Sequence, residues 1–306
     1  MRNDFFYDSR GSGKIHACSW EPDGPVKGIV QIVHGLAEHI RRYDDFAAYL
    51  NAQGYLVVAQ DHMGHGGSVG VDGVKGYFHG GWFTAVEDTY ALLLMTQKKY
   101  PDIPYILFGH SMGSFMVRTI LAKYPQCPLA GCVICGTGWQ PQAALTAGIR
   151  LANLICRING AKKPNKLLIA MAFGTYNRKI ERPLTPFDWV SRDSKVDNAF
   201  MSDPLGGFIV SAGLMRDMFT GIAYIQQKSS LANMDKQLPV YLIAGGDDPV
   251  GAYGEGVRKT AEAFKQAGME RVSLRIFPMC RHEILNEINR KEVWQNIGNW
   301  MGNVVK

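Results

Sequence analysis

The chain has 306 residues, 46% hydrophobic and 20% charged, with a formal net charge of +6. This is enough apolar material for a full buried core, and no apolar run reaches the roughly 18 residues that a membrane span needs. No nucleic-acid-binding module or base-stacking platform accompanies the positive charge, which argues against a nucleic-acid partner.

The first residues, Met1 to Asp8, lack the long apolar core of a targeting segment, so a cytoplasmic protein is expected. Lys14 to Trp20 and Lys27 to Val33 read as strands. The second leads into His34-Gly35-Leu36-Ala37-Glu38-His39, a turn ahead of a helix over Tyr43 to Leu50. Tyr55 to Gln60 is the next strand, followed by Asp61-His62-Met63-Gly64-His65-Gly66. His62, His65 and Asp61 have a superficial look of metal ligands. In a glycine-rich turn such residues more often form turns and hydrogen bonds, so no metal or other cofactor is expected.

After a helix near Thr84 to Lys99, the strand Tyr105 to Phe108 runs into Gly109-His110-Ser111-Met112-Gly113 and then a helical stretch from Ser114 to Leu121. G-x-S-x-G between a buried strand and a helix is a nucleophile elbow, in which flanking glycines let a strained turn expose the serine. Ser111 is therefore the candidate nucleophile. Met112, the residue after it, would supply one backbone donor of an oxyanion hole, and Leu36 in the turn after the early strand would supply the other.

Gly131 to Cys135 is a further strand. Its Cys132 and Cys135 have redox-motif spacing, but within a hydrophobic strand they read as small core residues. From 139 to 236 the strand–helix alternation breaks into helix-like segments. It resumes with a strand at Val240 to Ala244, whose following loop carries both Asp247 and Asp248, and another at Val272 to Phe277, whose following loop carries His282. Nucleophile, carboxylate and histidine thus occur in the chain order of a serine hydrolase on a mostly parallel, doubly wound α/β sheet. The serine needs an imidazole to take its proton, and the imidazole needs a carboxylate to fix its tautomer.

Taken together, His34 to His39 with Arg42-Tyr43, Asp61 to Gly66, Gly109 to Gly113, Asp248-Pro249-Val250 and Arg281-His282-Glu283 resemble the monoglyceride lipase and lysophospholipase group of the α/β-hydrolases, the serine aminopeptidase-like family. The resemblance implies an α/β-hydrolase core over 1–138 and 237–306 with a helical lid over 139–236. It selects Asp248 over Asp247 as the acid, and so implies a triad of Ser111, Asp248 and His282, with Leu36 and Met112 as oxyanion donors. It also implies lipid-like monoesters, monoacylglycerols or lysophospholipids, as substrates. The segments Asp188 to Asp193 and Asp203 to Phe208 are similar to bacterial lysophospholipase-like members.

The insertion is rich in apolar residues, including Leu145, Ile149, Leu151, Leu154, Ile155 and Ile158, Leu167 to Phe173, and Met215, Met218, Phe219 and Ile222. More apolar surface than its own packing requires suggests a tunnel for an acyl chain. It is also the basic part of the chain, with 12 Lys or Arg against 7 Asp or Glu from 139 to 235, which would suit transient contact with an anionic membrane surface. Other readings are an aminopeptidase, which needs an acidic or carbonyl-lined pocket for an ammonium, a small-ester esterase, and a non-catalytic ligand receptor on the same fold.

Overall fold

A computed structural model describes residues 2–70 and 72–305; positions 1, 71 and 306, which fall in the expected core segments, lie outside the described residues. The elements are β1 (Arg2–Asp8), β2 (Lys14–Trp20), β3 (Gly28–Val33), α1 (Asp44–Asn51), β4 (Tyr55–Gln60), α2 (Gly81–Lys99), β5 (Tyr105–His110), α3 (Met112–Lys123) and β6 (Gly131–Cys135). They continue with α4 (Gln142–Asn159), α5 (Lys166–Phe173), α6 (Ser194–Ser202), α7 (Ala212–Ile225), α8 (Lys228–Asn233), β7 (Val240–Gly245), α9 (Glu255–Gln266), β8 (Val272–Phe277) and α10 (Arg290–Val304).

Eight strands form one sheet in the order β1-β2-β4-β3-β5-β6-β7-β8. β1 and β2 pair antiparallel, β2 meets β4 antiparallel, and every pair from β4 to β8 is parallel. The central strands read as near-continuous apolar runs because helices cover both faces. Successive side chains alternate between two cores: Leu107, Cys132, Ile134, Leu242 and Ala244 pack with α2, α3 and α9 on one side. Ile106, Phe108, Val133, Cys135 and Ile243 pack with α1 and α10 on the other. Cys132 and Cys135 thus lie on opposite faces, and both are free thiols.

The sequence reading omits β1. Its burial follows no clean alternation, with Phe6 facing solvent, and its extended form comes from pairing along the whole of β2 from Arg2↔Trp20 to Asp8↔Lys14. β5 runs two residues further than expected, carrying Gly109 and His110 up to Ser111, the candidate nucleophile. Among the described residues no helix is long and apolar enough to cross a membrane.

Between β6 and β7 the chain is helical. Its apolar residues divide: Leu145, Ala152, Ile155, Leu214, Met215 and Ile222 are buried, whereas Leu154 and Ile158 on α4 and Leu167 and Met171 on α5 are exposed. α7 packs against α2 and α3 and therefore belongs to the body of the molecule as much as to the insertion.

Candidate active site

The C-terminal ends of parallel strands are where doubly wound sheets build sites, and here β3, β5, β6, β7 and β8 all deliver their following turns to one edge. At the end of β5 the chain reverses through Ser111, at φ 52° and ψ −122°. That left-handed conformation is costly for a residue with a Cβ and persists only when the surroundings enforce it. They do: a Cβ on Gly113 would lie 2.0 Å from the Val33 carbonyl oxygen, and one on Gly109 would lie 2.6 Å from the Gly113 carbonyl oxygen. Gly113 lets the elbow settle directly onto β3, and Gly109 lets the start of α3 fold back against the end of β5. Ser111 N–H donates to the Cys135 carbonyl at 3.0 Å, tying the turn to β6 as well.

His282 is buried on the loop after β8, and its Nδ1–H donates to Asp248 Oδ2 at 3.0 Å. Asp248 is fully buried and its Oδ1 accepts the Val250 N–H at 2.9 Å, while Asp247 points to solvent. Burial by itself would lower the His282 pKa, but the charge and hydrogen bond of Asp248, with Glu283 and Glu38 behind it, raise it above the ordinary 6.5. The neighbouring His110, 4.8 Å away between ring centroids, is pushed down to about 3 by burial and by His282, so it stays neutral.

Ser111, His282, Gly35, Leu36 and Met112 all line one cavity of about 820 Å³. Its remaining wall is largely apolar and comes mainly from the insertion: Leu145, Leu151, Leu168, Met171, Phe173, Phe187, Trp189 and Phe219. Four of the five predicted site residues thus line one space, and the fifth, Asp248, has its carboxylate directly behind His282. Asp61, His62 and His65 are built differently. Asp61 accepts from the Ile40 and Gly67 amides and pairs with His16, while His62 Nε2–H and His65 Nδ1–H donate to the carbonyls of His34 and Met63.

Over residues 24–289 the chain matches the family described as serine aminopeptidase, S33. The chain belongs to that family.

Relatives of this S33 hydrolase include the monoacylglycerol lipase of Mycolicibacterium smegmatis, 28% identical over 98% of this chain and 97% of that one. Another is the monoglyceride lipase of Mus musculus, 29% identical over 88% of this chain and 84% of that one. Among solved structures, a thermostable carboxyl esterase from Bacillus coagulans, determined with glycerol, superposes with a TM-score of 0.93 at 30% identity, covering 100% of this chain and 99% of that one. The S33 hydrolase therefore has the α/β-hydrolase fold.

Two features of the site go beyond what its sequence motifs imply. Arg42, just ahead of α1, lies partly buried between two carboxylates, donating to Glu38 at 2.9 Å and to both oxygens of Glu283 at 2.6 and 2.8 Å. Glu38 also accepts from Tyr43 Oη–H and the Gly35 N–H. Burial alone would raise both carboxyls. At Glu283 the Arg42 charge and hydrogen bonds prevail and hold it low, whereas at Glu38 burial leaves it raised from 4.5. The Glu38 to Arg42 spacing of one helical turn was the available signal; its partner lies 241 residues away.

The second feature is the way the insertion holds the histidine loop. His282 N–H and Glu283 N–H donate to the carbonyls of Trp189 and Val190 at 3.3 and 2.8 Å, and Arg281 donates to the Asp188 and Ser191 carbonyls. The Trp189 ring packs 5.2 Å from that of His282 and is itself wedged against Phe173 and Tyr176. Asp188-Trp189-Val190-Ser191 thus forms the backbone brace of the histidine loop.

Proposed function

We propose that the chain is a serine ester hydrolase cleaving monoacylglycerol-like substrates through an acyl-enzyme. The observation that carries this reading is the apolar cavity of about 820 Å³ that opens onto Ser111 and His282. It lies within the roughly 300–1,000 Å³ of small-molecule sites. His282, held by Asp248, takes the Ser111 proton as Oγ attacks the ester carbonyl. The backbone N–H groups of Leu36 and Met112 receive the negative oxygen. Collapse breaks the ester C–O bond, and the departing alcohol takes the proton from His282. Water then attacks the acyl-enzyme with His282 again as base, releasing the fatty acid and restoring Ser111–OH.

Charge in the cavity favours a neutral head group. Among the described residues no Lys or Arg lines it, and its carboxylates, Glu38 and Glu283, would repel the phosphate of a lysophospholipid. Those same carboxylates are committed to Arg42, Tyr43, Asn286 and the Gly35 amide, which leaves no open acidic pocket for a substrate ammonium and weighs against the aminopeptidase reading.

Residues 139–236 act in this reading as a lid over the core of 1–138 and 237–306. Ile158 and Leu167 are exposed beside Lys163 and Lys166, and Met171 is both exposed and part of the cavity wall. An apolar tip with a basic fringe next to a lipid-sized cavity suits a transient landing on a membrane surface. Six unpaired cysteines support a reducing, cytoplasmic setting.

The test is hydrolysis of a 4-nitrophenyl ester ladder from acetate to palmitate, with 1-oleoylglycerol, 1-oleoyl-lysophosphatidic acid and an aminoacyl-4-nitroanilide alongside and Ser111→Ala as blank. Rates rising toward longer chains and favouring oleoylglycerol are expected. Preference for acetate, for the phosphate ester or for the anilide would each overturn the substrate assignment, and wild-type rates in Ser111→Ala would overturn the mechanism.

A further inference from the structure

We infer that His34 is a positioning residue for the oxyanion hole, holding the Gly35–Leu36 peptide in the one orientation that aims the Leu36 N–H into the cavity. This rests on the ester-hydrolase reading above and adds to it a side chain that never touches substrate.

The inference follows from the tautomer that the hydrogen bonds impose. The His62 backbone N–H donates to His34 Nε2 at 3.0 Å, and a main-chain amide can only donate, so Nε2 carries no proton. The proton of the neutral ring is then on Nδ1, which lies 2.8 Å from the Gly35 carbonyl oxygen and donates to it. His34 is completely buried, and burial together with its neighbours His62 and His65 keeps it neutral. Its own carbonyl accepts the His62 Nε2–H at 3.0 Å, so His34 and His62 clamp each other through two reciprocal bonds.

The Gly35 carbonyl and the Leu36 N–H belong to a single peptide unit. There are no cis peptide bonds among the described residues, so C=O and N–H point in opposite directions across that unit. Drawing the Gly35 oxygen back onto the buried imidazole therefore turns the Leu36 N–H the other way, toward the wall that Leu36 shares with Ser111 and Met112. The preceding peptide is pinned as well, because the Gly35 N–H is spent on the Glu38 carboxylate. Glycine is needed between them: a Cβ on Gly35 would lie 2.7 Å from Glu38 Oε1 and 3.1 Å from Ser111 Cβ. Among the described residues the Leu36 amide donates to no backbone or side-chain acceptor, as a donor reserved for substrate must. A preorganised donor of this kind acts without reorganising when charge develops.

Two substitutions separate the roles of the ring nitrogens. Asparagine places an amide N–H near the position of Nδ1 and has nothing at Nε2; glutamine offers an acceptor near Nε2 and lacks the donor to Gly35. His34→Gln is expected to lose on the order of a hundredfold in kcat, the scale of one oxyanion donor, with KM within about threefold of wild type. Its affinity for a trifluoromethyl ketone analogue of the substrate should weaken in parallel. His34→Asn is expected to keep kcat within about tenfold while melting at a lower temperature, since it orphans the His62 amide. The inference is overturned if His34→Gln keeps wild-type kcat, or if the two variants lose kcat equally and in step with melting temperature. Ser111→Ala and fluorophosphonate labelling of the wild type run beside them. Activity surviving in Ser111→Ala would overturn the site assignment itself, whereas a dead Ser111→Ala beside an unimpaired His34→Gln would overturn only the role of His34.

Discussion

Arg42 grips Glu283 with both arms of its guanidinium, Nη1 to Oε1 at 2.6 Å and Nη2 to Oε2 at 2.8 Å, and so joins the turn after β3 to the residue that follows His282. Breaking a buried ion pair from one side strands the other charge, at a cost of about 3–5 kcal/mol. Arg42→Met strands two, Glu38 and Glu283. Its urea unfolding midpoint should fall accordingly, and adding Glu283→Gln should recover part of the loss. A change below about 1 kcal/mol would show that the network is solvated rather than structural.

The pH profile reports on His282. In its proposed role as base it must be neutral, and its pKa is raised above 6.5, so kcat/KM should fall as pH drops through a value on the alkaline side of 6.5. For stability the sign is opposite. A raised folded-state pKa gives a contribution that is complete below the unfolded value and is lost as pH rises through the folded one. Glu283 is one of the charges raising it, so Glu283→Gln should move the acid limb of kcat/KM to lower pH. A limb that stays in place would mean that Glu283 does not influence the base.

Gly113 and Gly302 form a matched pair of helical glycines. A methyl at Gly113 would meet backbone at 2.0 Å on Val33 and 2.6 Å on His34, atoms that cannot move aside. Gly113→Ala should cost about 3 kcal/mol, the top of the overpacking range, and should abolish fluorophosphonate labelling. On α10, Gly302 has nothing within 4 Å of a built Cβ, and Gly302→Ala should stabilise by about 0.5–1 kcal/mol through helix propensity. Thermal melts of the two variants compare them directly.

The exposed face of α4 and α5 gives a test of surface binding. Ile158 and Leu167 are among the most exposed large apolar residues of the insertion and do not line the cavity. Ile158→Glu with Leu167→Glu should slow hydrolysis of monooleoylglycerol presented in anionic vesicles by about tenfold, since apolar insertion and charge attraction both weaken. Hydrolysis of soluble 4-nitrophenyl butyrate should be unchanged. Equal rates on vesicles would remove the membrane contact from the proposal.

Sequence by itself determined what is written locally. Strands β3 to β7 are largely apolar runs of the right length, β2 and β8 mix polar with apolar residues, and the glycines around Ser111 announce a turn that only a close-packed elbow needs. Those signals act within a few residues, so the sheet, the elbow and the loops carrying Asp248 and His282 could be read along the chain. Tertiary structure decided what depends on partners distant in sequence. β1 is extended because β2 pairs with it, not because of its own pattern. Asp247 and Asp248 are adjacent in the chain, and only the packed loop shows one open to solvent and the other buried against His282. The apolar residues of the insertion look alike in sequence; the fold alone separates those that bury against the body, those that line the cavity and those left facing water. Arg42 and Glu283 meet across most of the chain's length, and Trp189 of the insertion meets His282, because the strand ends bring their loops to one edge of the sheet.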